Sequence, residues 1–100
     1  MKNKVFVVMV EYQDFEDKDN NYSEVRIVTK DWNIAVNKII HCCEEEIEMD
    51  MVTEAYEISH NPEEFHEHIK DLITKFGYIA FDQQVGNGKS RIILEEMEMI

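Results

Sequence analysis

Residues 61–96 read NPEEFHEHIKDLITKFGYIAFDQQVGNGKSRIILEE, and this stretch holds a complete helix with its stop and start signals, then a strand pair. Asn61 is a helix N-cap, Pro62 suits the first helical position, and Glu64 stands three residues after the cap, which makes a capping box. His60 and Phe65 occupy the positions of a hydrophobic staple. Phe65, Ile69, Leu72, Ile73 and Phe76 recur at helical spacing as one apolar stripe. Gly77 can adopt the left-handed conformation that ends such a helix. Tyr78–Val85 then reads as a strand, Gly86-Asn87-Gly88 as a tight turn and Lys89 to about Glu96 as the returning strand. An amphipathic helix feeding an antiparallel hairpin needs a sheet face to cover, which predicts an α+β architecture.

Upstream, Val52–Ser59 has Val52, Tyr56 and Ile58 on one side and reads as a strand, with Glu54 against the pattern. A longer helix is predicted from Trp32, capped by Asp31 or Thr29. Trp32, Val36, Ile39, Ile40, Cys43 and Ile47 form its core stripe. Lys38, His41, Glu45 and Glu48 lie opposite, flanked by Glu44. Asp50 would return to the core side, so the helix is expected to stop before it. Lys4–Tyr12 is a strand, apolar on both pleat faces over Val5–Val10 as a central strand is. Gln13–Asn21 is a polar loop. Tyr22–Lys30 alternates, with Ser23, Val25, Ile27 and Thr29 on one face and Glu24, Arg26, Val28 and Lys30 on the other, and pairs with the first strand as a hairpin. Met97-Glu98-Met99-Ile100 is expected to extend the last strand, with Met97 and Met99 as an adaptable edge and Met49 and Met51 as a second pair. The order is β-β-α-β-α-β-β: one α+β domain over residues 1–100, two helices on a mostly antiparallel sheet. No internal repeat is visible.

Composition agrees with one packed domain. The chain has 100 residues, 44% hydrophobic, with only three glycines and one proline, which excludes a linker or low-complexity segment. The longest apolar run, Val5–Val10, is too short to cross a bilayer or form a signal-peptide core, so a cytoplasmic location is expected. Twelve isoleucines stand against two leucines, as an AT-rich genome would produce.

The net charge is −12, and it is unevenly placed. From Ile39 to Ile69 there is no Lys or Arg, against ten acids: Glu44, Glu45, Glu46, Glu48, Asp50, Glu54, Glu57, Glu63, Glu64 and Glu67. The other 69 residues carry twelve acids and ten bases. Such a field repels nucleic acid and anionic membrane and attracts basic surfaces.

Motif chemistry is sparse. Cys42 and Cys43 are adjacent on a helix, about 100° apart, and cannot form an unstrained disulfide. Cys43 is expected to be a small buried hydrophobe and Cys42 to sit at the flank, its thiol pKa raised by Glu44, Glu45 and Glu46. His66 and His68 are two apart and point away from each other, and with His41 and His60 they show no HxxxH spacing, so no metal is assigned. Asp17–Asn21 echoes a calcium loop, but Tyr22 and Val28 stand where its Gly and Glu belong. Gly88-Lys89-Ser90 lacks the spacing of a phosphate loop. No catalytic residues and no cofactor are assigned, and the chain reads as a non-enzyme.

The charge therefore carries the functional expectation: a small acidic module that binds a basic protein surface through Glu44, Glu45, Glu48, Glu54, Glu57, Glu63, Glu64 and Glu67. Helical neighbours three or four apart place carboxylates about 5–6 Å apart, and duplex DNA carries about one charge per 1.7 Å of axis. Mimicry of nucleic acid would thus need both helices and the segment between them. Phage and plasmid inhibitors of nucleic-acid-handling enzymes are acidic proteins of this size, and the expected partner is such a basic protein. The competing expectation is a homo-oligomeric (for example homodimeric) structural or small-ligand-binding domain whose acidity serves solubility alone.

Overall fold

A computed structural model of the chain describes residues 3–16, 19, 21–84 and 86–99. The elements are β1 (Asn3–Asp14), β2 (Tyr22–Thr29), α1 (Trp32–Glu48), β3 (Met51–Val52), α2 (Glu54–Ile58), α3 (Pro62–Phe76), β4 (Tyr78–Gln83) and β5 (Gly88–Met99). The strands form one antiparallel sheet in the order β2-β1-β5-β4-β3. The first and last long strands, β1 and β5, pair along their whole length from Asn3↔Met99 to Asp14↔Gly88. The C-terminal extension of β5 is therefore part of the sheet. Val85, expected in β4, lies outside the described residues, as do Asp17, Lys18 and Asn20 of the loop after β1.

The starts of the two long helices, α1 and α3, follow from their caps. The Asp31 carboxylate accepts from the N–H groups of Asn33 (2.8 Å) and Ile34 (3.3 Å), and Asn61 Oδ1 accepts from Glu64 N–H at 2.8 Å. Glu64 reaches back to the His60 N–H, 3.4 Å away. Gly77 is left-handed at φ 77°, donates to Ile73 O and, through its own carbonyl, accepts from Leu94 N–H at 2.8 Å. The helix stop thus doubles as a clasp onto β5. At the end of α1, Asp50 takes φ 62°, turning the chain sharply into β3.

Val52–Ser59 departs from the expected strand. Only Met51 and Val52 pair with β4; Glu54–Ile58 is a one-turn helix. The residue buried there is Ala55, a poor strand former, and Glu54 and Glu57 suit a helix N-terminus where free N–H groups point. Apolar alternation over eight residues is too short a signal to outweigh these.

β2 also departs from simple alternation. Val8 pairs with Ile27 but Met9 pairs with Val25, so Arg26 is an extra residue, a β-bulge. Beyond the bulge the faces exchange. Ile27 packs on the core, whereas Val25 joins Val28 on the other face, both more than half exposed.

α1 and α3 lie on the same face of the sheet. Val8 and Val10 of β1, Ile92 of β5, and Ile79 and Phe81 of β4 meet Ala35, Val36, Ile39, Ile40 and Cys43 of α1 and Phe65, Ile69 and Ile73 of α3 in one core. Trp32 stands at the rim, its ring edge-on to Phe6 at 5.4 Å.

A candidate acidic groove between the helices

The eight acids expected to form one binding face are divided by the fold. Glu44 and Glu48, one turn apart on α1, and Glu57 of α2 converge on a groove of about 970 Å3, whose walls come from the end of α1, α2, and the start of α3. Glu54 does not line this groove but a second depression of about 660 Å3, which Glu57 also borders and which takes in Asp82, Leu72 and Phe76. Glu45 meets His41 of its own helix at 3.1 Å and reaches Arg26 of β2 at 4.0 Å. On α3, Glu64 serves the cap and approaches His68 at 3.5 Å, Glu67 pairs with Lys70, and Glu63 is exposed.

The groove is more than a ring of acids. Tyr56, half exposed, Ile47, Val52 and Phe65 supply apolar lining, and Tyr56 meets Phe65 edge-to-face at 5.4 Å. His60 and His66 also line it, and Glu44 Oε1 lies 3.0 Å from His66 Nε2, tying α1 to α3. Among the described residues no Lys or Arg lines it. The sequence hides the aromatic residues' part: Phe65 shows only as core stripe, and Tyr56 falls within an apparent strand. The number of acids is legible; the convergence of residues 44, 48 and 57 needs the turn at Asp50 and the short helix α2.

A second carboxylate stands apart because it is buried. Glu46 is 7% exposed, under α1, and accepts from Ser90 Oγ at 3.2 Å. Burial raises its pKa above the ordinary 4.5, against the hydrogen bond from Ser90 and the charge of Arg26, which lower it. Its position is readable in the helix spacing, since Glu46 follows Ile39 by seven residues and Cys43 by three. Burial of this end also raises the Tyr22 pKa, with Glu46 the next cause. Cys42 is buried rather than flanking, and burial, ahead of the neighbouring carboxylates, raises its thiol pKa; Cys43 is pushed well up by burial too. Both are packing residues here.

Glu46 makes a testable contribution to pH dependence. In the unfolded chain it ionises at its ordinary value, while in the fold it keeps its proton to higher pH. The folded state then binds the extra proton between those two values, so stability falls as pH rises through that window. Glu46→Gln retains an oxygen for Ser90 and cannot ionise. The unfolding temperature of the parent minus that of Glu46→Gln is expected to fall by a few degrees between about pH 4 and pH 7 in calorimetry. A difference that stays flat or rises with pH would show that Glu46 ionises in the fold at no cost.

Among the described residues no three His, Cys, Asp or Glu side chains are grouped to hold a metal ion, and no helix is long and apolar enough to cross a membrane. No protein-family model, no curated protein and no solved structure matches the chain.

Proposed function

We propose that the chain is an acidic protein-binding module whose groove seats a Lys- or Arg-bearing segment of a basic, nucleic-acid-handling protein. One observation carries this reading: Glu44, Glu48 and Glu57, from two elements, stand around a groove lined by Tyr56 and Phe65, with no Lys or Arg in its lining among the described residues. A lysine or arginine side chain needs both parts. Its aliphatic stem packs on Tyr56, Val52 and Ile47, and its charged head reaches the carboxylates at the rim. A cation against a tyrosine face adds about 0.5–1 kcal/mol at an exposed site. The wider deficit of positive charge over residues 39–69 steers a basic surface toward this side of the molecule. Occupying the partner's nucleic-acid site with carboxylates is inhibition by mimicry.

The test is capture from a lysate of the source cell on the immobilised protein, washed first at low and then at high salt, with the bound chains identified by mass spectrometry. The expected result is a basic nucleic-acid-binding protein, retained at low salt, released at high salt and displaced by DNA. Recovery of the chain alone would remove the module reading and leave the acidity as a surface property.

A further inference from the structure

The face of the sheet turned away from the helices has no covering layer among the described residues, yet it is largely apolar. The register puts Val7 and Met9 of β1, Val25 and Val28 of β2, and Ile93 and Met97 of β5 on it. Val25, Val28 and Met97 are each more than half exposed, at 52%, 59% and 53%. An antiparallel sheet facing water on one side ordinarily alternates apolar-in with polar-out. Here both sides of β1 are apolar, and the Arg26 bulge adds Val25 to the outer set. Tyr78 extends the patch onto β4, with the Arg91 guanidinium 5.9 Å from its ring centre.

The charges on this face differ from those on the rest of the molecule. Within the paired strands it holds two bases, Lys89 and Arg91, against three acids, Glu11, Asp82 and Glu95. Arg91 pairs with Glu11 at 2.6 Å and Lys89 with Asp82 at 3.6 Å. The face therefore carries a net charge of −1 in a chain of −12. A basic partner is drawn to the helical side. A copy of this chain is repelled by that side and meets little repulsion here.

From this we infer that the open sheet face is a homodimer interface, two sheets packed face to face. The size is adequate. Four strands about 4.8 Å apart, about nine residues long at about 3.3 Å each, present roughly 600 Å2 in projection before side-chain relief is counted. A standard interface takes about 800 Å2 of accessible surface from each partner. The molecule measures 47 × 36 × 19 Å, so a broad side is available for packing, and its thin axis is one sheet plus one helix layer. Face-to-face packing holds the two acidic helical layers on opposite outer sides, two sheets apart, and leaves both grooves open.

The experiment is the solution mass by sedimentation or light scattering at about 100 μM chain, well above a micromolar Kd. Twice the 11.9 kDa chain mass is expected, unchanged near 1 M salt, where screening reaches about 3 Å and leaves apolar contacts intact. Val25→Glu with Val28→Glu puts four carboxylates into the interface and is expected to weaken the dimer at least a hundredfold, giving monomer. Both side chains are exposed in the single chain, so circular dichroism should be unchanged. If that variant unfolds, Met97→Lys is read in its place, with at least a tenfold weakening expected. Glu44→Lys, Glu48→Lys and Glu57→Lys together should leave the mass at the dimer value, which separates this inference from the groove's function. A parent chain that stays monomeric overturns the inference. So does a dimer that survives the sheet-face variants, or one that the groove variants dissociate.

Discussion

Phe81→Ala is expected to destabilise the fold by about 3–5 kcal/mol, the loss typical of a buried phenylalanine truncated in a tight core. Phe81 is 1% exposed and the largest fully buried side chain, on the helix-covered face of β4 between the sheet and α3. Its cross-strand partner on β5 is Ser90, itself buried and engaged with Glu46, so the residue directly opposite is too small and polar to fill the void. A domain of this size has about 5–15 kcal/mol in total, so the variant is left with a small margin. The measurement is urea unfolding, read at the midpoint. Phe76→Ala is the control, because Phe76 ends the apolar stripe of α3 but is 63% exposed; it should cost less than about 1 kcal/mol. Equal losses for the two would mean that the helix layer does not sit on β4 as described.

The second large effect is on binding. The triple reversal Glu44→Lys, Glu48→Lys and Glu57→Lys is expected to weaken capture of the basic partner at least about a hundredfold, since each reversal turns an attractive interaction at a close charge pair into a repulsive one. The fold should hold. All three side chains are exposed, and the contact that the reversal breaks within the chain, the Glu44–His66 hydrogen bond, lies at the surface, where such pairs are worth about 0–1 kcal/mol. The informative comparison is Glu63→Lys, Glu67→Lys and Asp71→Lys, on the outer side of α3. It changes the net charge by the same amount, from −12 to −6 at two charges per reversal, but leaves the groove lining intact. A groove-specific interaction makes the first triple much the weaker binder and lets the second change mainly the association rate. Equal loss in both would reduce the interaction to the long-range field and remove the groove from it.

Several elements were legible residue by residue. Asn61, Pro62, Glu64 and Gly77 define α3 because capping is local: the groups that bond lie within a turn of each other, and no distant contact is needed to read them. Asp31 does the same for α1. The helix stripes name most of the core because burial of a helix face repeats with the helix's own period. The acid-rich stretch from residue 39 to 69 is a property of composition, and so is the direction of its electrostatic preference.

What the tertiary structure alone decided is where those pieces face. The Arg26 bulge depends on how β2 matches β1, and it moves Val25 off the face that simple alternation shares with Ile27 and onto the open face, since one inserted residue inverts a period of two. The segment after Val52 became a helix because its buried residue and its acids suit one, a choice settled by packing against α3 and not by local alternation. The sharp turn at Asp50 then carries Glu57 round to Glu44 and Glu48, while Glu45, adjacent in sequence to Glu44, reaches Arg26 of β2 instead. By itself the sequence determined the two long helices, the four long strands and the placement of charge along the chain. Only the pairing of distant strands and the docking of α1, α2 and α3 decided which carboxylates share a groove and which valines share a surface, because those choices depend on contacts between residues far apart in the chain.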